Sequence, residues 1–179
     1  MINKEFFKKR FSISYALIFA IILILLILFF RKTAIYFILV LLTSAFVYLN
    51  YYIHLPFDLS PVLFLSLIIT REYNFFMSIL YIFVAGILPM VFAGGSFDHT
   101  TIFYLSIIIA VNFISIFFIS VSFIIAALIL IIIHHIICAF GSISFGTNPA
   151  KEVVNMITKI AVDGFYILNF SVIVISIIH

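Results

Sequence analysis

The sequence predicts an all-α integral membrane protein, a helical bundle of six transmembrane helices plus one short half-helix, forming a single transmembrane domain over residues 1–179. Three observations predict it. Of the 179 residues, 67% are hydrophobic and only 8% are charged, against roughly 25% charged in an average soluble domain. Six acidic and nine basic residues are too few to cover the surface of a soluble domain, so a soluble globular protein, a disordered chain and a nucleic-acid-binding domain are excluded. The charges also fall between apolar runs of about 20 residues, the length that crosses a bilayer. The net charge of +3 comes mostly from the first ten residues, which is a membrane-flank pattern and not a phosphate-binding patch.

Phe11 to Phe30 is a clean apolar run preceded by Lys8, Lys9 and Arg10. It is longer than a typical signal-peptide core and ends at Arg31-Lys32 without a small-residue cleavage site, so it reads as a retained first span. Thr33 to about Tyr52 is the second. The segment His54-Leu55-Pro56-Phe57-Asp58-Leu59-Ser60-Pro61 then breaks the chain, with Ser60 as a cap and Pro61 at the first helical position. Val62 to Thr70 is too short to span and stops at Arg71-Glu72. It is a half-helix or the first part of a longer kinked element. Phe75 to Ala93 is a span with a kink expected near Pro89. Gly94 to His99 is a turn.

From His99 to Ala150 the chain has no Asp, Glu, Lys or Arg. One helix of that length would be more than twice the ~30 Å apolar core, so it must fold back. Crossings over Thr101 to Phe118 and Val121 to Phe140 are expected, with the reversal near Ser120 and Ser122. Gly141 to Asn148 is a loop, and Asn148-Pro149 caps a last helix toward His179. The basic residues Lys4, Lys8, Lys9 and Arg10 favour a cytoplasmic N-terminus. If the short element does not cross, the Gly94–His99 and Gly141–Asn148 loops face outside and the C-terminus returns to the cytoplasm. The expected location is the cell membrane, as a multi-pass protein.

Asp163 is the most informative position. Asn155, Lys159 and Asp163 follow at spacings of four on one helix face, with Glu152 three residues before Asn155. Charge within a span is costly unless it meets a protein interior or water. This face is either a polar stripe lining a substrate pocket or a Lys159–Asp163 pair snorkelling near the interface. On the pocket reading, Asp98 and Asn148 stand at the mouth. His134 and His135 point about 100° apart and do not easily serve one ligand. No His-x3-His or HExxH spacing supports a metal, so neither a metal nor a cofactor is expected, and a histidine bonded to a loop near a helix end is the plainer reading. Asn112 and Asn169 lie mid-span as candidate interhelical hydrogen-bonding residues, and Cys138 is a small core residue. A Walker A loop, GxSxG, a kinase set and paired glutamates within spans are all missing, so the chain is expected not to be an enzyme. Any active transport would draw on a partner or an ion gradient.

Ala16-Leu17-Ile18-Phe19-Ala20 sets two small residues one turn apart in the first span, a spacing that lets another helix approach closely. With this pattern, the Phe57-Asp58-Leu59-Ser60-Pro61 break and the Gly86…Pro89…Gly94-Gly95 run, the layout resembles the substrate-binding S components of energy-coupling factor (ECF) transporters. The resemblance implies a pocket for a small-molecule solute such as a vitamin near the outer face, and uptake energised by partner ATPase subunits. It also implies docking of a transmembrane coupling subunit at Ala16 and Ala20. Two features depart from the family: Arg71-Glu72-Tyr73-Asn74 stands where a Gly-Pro turn is common, and no Trp is present to stack on a ring. The layout also resembles the MreD family of cell-shape membrane proteins, non-catalytic scaffolds that need no pocket, although Pro89 stands where an acidic residue is expected there. The lipid bilayer is a partner on either reading, and nucleic acid on neither. Replacing both Ala16 and Ala20 with Leu is expected to weaken assembly with a partner subunit in co-purification while the chain still accumulates in the membrane. Loss of accumulation would instead make them internal packing residues.

Overall fold

The computed structural model describes Ile18, residues 30–54 and residues 58–179. The expected first span, with Ala16 and Ala20, lies outside the described residues, as does Phe57 of the break. The rest is an all-α bundle without strands among the described residues. Five of its helices are long and apolar enough to cross a membrane: α1 (Arg31–Tyr52), α3 (Phe75–Phe92), α4 (His99–Phe118), α5 (Phe123–Ser144) and α6 (Pro149–Ile178). Between α1 and α3 stands the half-helix α2 (Val62–Glu72). Large apolar side chains such as Leu41, Phe76, Phe92, Phe117 and Phe140 are exposed on the outside of the bundle. That surface suits lipid, and the protein is membrane-embedded.

The shortest helix occupies the centre. Every residue of α2 from Leu63 to Thr70 is buried, and α2 packs against α1, α3, α4, α5 and α6. A helix that is apolar all round belongs inside a bundle. Its few polar groups meet Asn112 of α4, which is fully buried. Thr70 Oγ1 and Ser78 Oγ donate to Asn112 Oδ1 at 2.8 and 3.1 Å, and Asn112 Nδ2 donates to Ser66 Oγ at 2.9 Å. Asn112 thus joins α2, α3 and α4 as an interhelical polar residue. Asn169 does not, because its amide donates to Phe165 O one turn back in its own helix.

Polar contacts identify which ends lie together. Arg31 Nη1 donates to His179 O at 3.2 Å, His179 Nε2 lies 2.7 Å from Glu72 Oε2, and Tyr73 OH donates to Lys32 O at 2.6 Å. Arg71 Nη1 donates to Val121 O at 3.0 Å. The start of α1, the ends of α2 and α6 and the α4–α5 turn therefore share one end. The end of α1 and the loops at Gly94 and Gly146 form the other. There the His99 and Phe145 rings meet edge-on at 5.3 Å, and a Cβ on Gly95 would come within 3.2 Å of Tyr51 Cδ1.

This arrangement corrects the topology expected for a short element that does not cross. The chain leaves α1 at the loop end and finishes α2 at the clamped end, so the break and the half-helix together carry it across. Among the described residues the chain thus passes from one end of the bundle to the other six times, five times in a long helix and once through the break and the half-helix. Ser60 also does not cap α2. Pro61 holds the N-cap position, and the Ser60 N–H donates to Asp58 Oδ1 at 2.9 Å. The α4–α5 reversal falls at Ser120–Ser122 as the sequence predicts. The bend before Pro89 takes the form of a π-helical stretch, Ile82–Ile87. Proline supplies no N–H to the ladder, and a wider turn accommodates that loss.

In a Cys138→Ala background, single cysteines at Tyr52 and at Ser120 are expected to react with an impermeant maleimide from opposite sides of the membrane. A short element that does not cross would place them on the same side.

Candidate functional site

Because α2 fills only half the length of the bundle, space remains between it and the loop end. A cavity of about 390 Å³ lies there, walled by the end of α1, the break at Asp58–Ser60, the π-helical stretch of α3, and α4, α5 and α6. Gly86 allows the approach that closes its floor, since an added Cβ would stand 3.3 Å from Val62 Cγ1.

Irregular backbone at membrane depth must satisfy its hydrogen bonds within the protein, and the break does so through side chains. Asn50 Oδ1 accepts the Leu59 N–H at 3.2 Å, and Tyr166 OH donates to Leu59 O at 2.8 Å. Asp58 Oδ1 accepts from Ser60 N and from Asn50 Nδ2, while its other oxygen is paired with the Lys159 ammonium. Both partners of this ion pair line the cavity, with side chains 26% and 31% exposed for Lys159 and Asp58 respectively.

A second pair lies deeper. His135 Nε2 stands 2.7 Å from Asp163 Oδ2, with Asp163 only 2% exposed. His134 Nε2 lies 3.6 Å from Cys138 Sγ, and its Nδ1 has no hydrogen-bond partner among the described residues. Both histidines and Cys138 line the cavity, with Tyr104 on the facing helix α4 bonded to Ser142.

The polar face read from the last helix thus points inward, and Asn155, Lys159 and Asp163 all line the cavity. Lys159 and Asp163 do not pair with each other, the alternative that the spacing left open. Each reaches across to another element, where the buried break and α5 supply the opposite partner. Asp98 and Asn148 do not line the cavity. They are helix caps, because each short side chain folds back on free N–H groups at a helix start. Asp98 Oδ1 accepts from Thr101 N at 2.9 Å, a bond that holds its carboxyl below the usual range. Asn148 Oδ1 accepts from Ala150 N and Lys151 N. The histidines are not loop-bonded near a helix end either, since both are buried within α5.

Sequence reading missed Asp58 and His135 as site residues. Asp58 carried a signal, a carboxylate between two prolines at the edge of an apolar run. The partner of His135 lies 28 positions away, and no local spacing discloses it. Comparison with protein families, with curated proteins and with solved structures finds no match to this chain.

Removing one partner of a buried pair strands the other charge. His135→Leu is expected to destabilise the protein by about 3 kcal/mol. The double variant His135→Leu/Asp163→Leu is expected to lose less than the sum of the two single changes. Denaturant titration in detergent measures both, and strictly additive losses would dissolve the pair as an energetic unit.

Proposed function

We propose that the chain is the solute-binding membrane subunit of an uptake transporter. It takes a small, vitamin-like solute into the cavity at the loop end, and partner ATPase and coupling subunits supply the energy, with Ala16 and Ala20 as the docking positions on the coupling subunit. The observation that supports this reading is the cavity of about 390 Å³ walled by the polar face of α6. Its volume falls in the ~300–1,000 Å³ range of small-molecule sites. Most of its wall surface is apolar, with ionised and hydroxyl groups set into it from the break and several helices, and that combination orients a solute. A scaffold of the MreD type requires no such space.

On this reading the loop end opens outward in the cell membrane and the clamped end, closed by the Arg31, Glu72 and His179 contacts, faces the cytoplasm, so a solute enters from outside. No group in the cavity is assigned to a reaction, and the chain acts as a binder and not as an enzyme.

The protein purified in mild detergent is expected to retain a small solute detectable by native mass spectrometry. Asn155→Phe, which places a ring in the cavity, is expected to abolish retention without lowering expression. Wild-type protein that carries no solute and supports no uptake would overturn this function.

A further inference from the structure

We infer that the cavity selects a small organic cation, an ammonium group carried on an apolar or aromatic body. This inference rests on the solute-binding reading above and names its substrate class.

The argument begins with where the charges went. The described residues contain five carboxylates, at Asp58, Glu72, Asp98, Glu152 and Asp163, and five Lys or Arg side chains, at Arg31, Lys32, Arg71, Lys151 and Lys159. Three of those carboxylates line the cavity, namely Asp58, Glu152 and Asp163, but Lys159 is the lone Lys or Arg there. With both histidines neutral the wall carries three negative charges and one positive, a net of −2. A proton on His135, beside Asp163, makes it −1. The cavity wall is negative in either state.

The one ammonium is also committed. Lys159 pairs with Asp58, and Asp58 in turn holds the break through Ser60 and Asn50. A carboxylate or phosphate ligand drawing Lys159 away would loosen the segment that forms the wall. Glu152, by contrast, has no ion-pair partner among the described residues and is only half-buried on the first turn of α6. An incoming ammonium therefore finds an unengaged carboxylate first and a negative wall beyond it. Charge in a partly enclosed site acts across several ångströms with weaker screening than in water.

The remaining wall suits the body of such a ligand. Tyr51 and Tyr104 add aromatic rings, which attract cations at close range, while Val47, Leu105, Ile108 and Met156 are apolar. His134 also lines the cavity, is 7% exposed and keeps an unpartnered Nδ1, so the site has polar capacity that the protein itself leaves unused. A bare metal ion is a poor fit, because among the described residues no three His, Cys, Asp or Glu side chains converge as ligands.

The test uses the full chain in mild detergent and three probes of similar size and different charge: phenethylammonium, phenethyl alcohol and hydrocinnamate. Calorimetry and thermal stabilisation at low ionic strength compare their affinities. The cation is expected to bind about tenfold or more tighter than the anion, with the neutral alcohol between them. Glu152→Gln, a change at a half-buried side chain with no hydrogen bond or ion pair among the described residues, is expected to reduce cation affinity about threefold to tenfold and leave the alcohol unchanged. Equal or tighter binding of hydrocinnamate, or a Glu152→Gln protein with unaltered cation affinity, overturns the cation assignment while solute binding itself stands. Failure of all three probes to bind, together with no retained solute in the purified protein, overturns both.

Discussion

The structure depends on how an irregular stretch of backbone survives at membrane depth. Asp58 to Ser60, just ahead of α2, lie outside helical hydrogen bonding, and side chains meet their peptide groups instead. An unsatisfied peptide group there costs several kcal/mol. The solution is a set of side chains from two helices: Asn50 meets the backbone from α1 and Tyr166 meets it from α6, while Lys159 of α6 holds the Asp58 carboxylate. Asp58 links the two sides, accepting from the backbone with one oxygen and from Lys159 with the other. An ion pair that looks placed for chemistry is first of all the anchor of the break.

That anchor has a geometric consequence. An 11-residue helix is about 16 Å long, roughly half the apolar thickness of a bilayer. In the half that α2 occupies, the bundle is solid and its polar groups close on one another around Asn112. In the other half no helix replaces α2, and the space between the long helices stays open. The cavity is therefore the remainder left by a half-helix, and its polar lining is the apparatus that made the half-helix possible. The residues that hold the break, Asp58 and Lys159, also line the cavity.

The two ends of the bundle are correspondingly different. The clamped end draws together Arg31, Glu72, Tyr73 and His179 from distant parts of the chain. The loop end is joined by aromatic contacts and by glycines, and two of these, Gly94 and Gly146, adopt positive φ, a conformation that other residues rarely take. The cavity lies toward the end with fewer polar ties. The π-helical stretch before Pro89 lies in the cavity wall, and such stretches are frequent at functional sites because they widen a helix locally.

By itself the sequence determined the class of the protein and most of its helix boundaries. Apolar runs of spanning length, separated by charges and by Gly, Pro and Asn, admit few other folds, since a chain in lipid must satisfy its backbone within helices. The four-residue spacing of Asn155, Lys159 and Asp163 likewise disclosed an inward face, because charge in a span seeks an interior. Tertiary structure alone decided the partners. Lys159 and Asp163 are neighbours on one helix, yet each finds its partner elsewhere, Asp58 across 101 positions and His135 across 28. It also decided that the short element crosses, since a segment too short to span by composition can do so when a loop held by side chains completes the path. Pairings of this kind depend on which helices pack together, and helical periodicity within one segment carries no information about its neighbours.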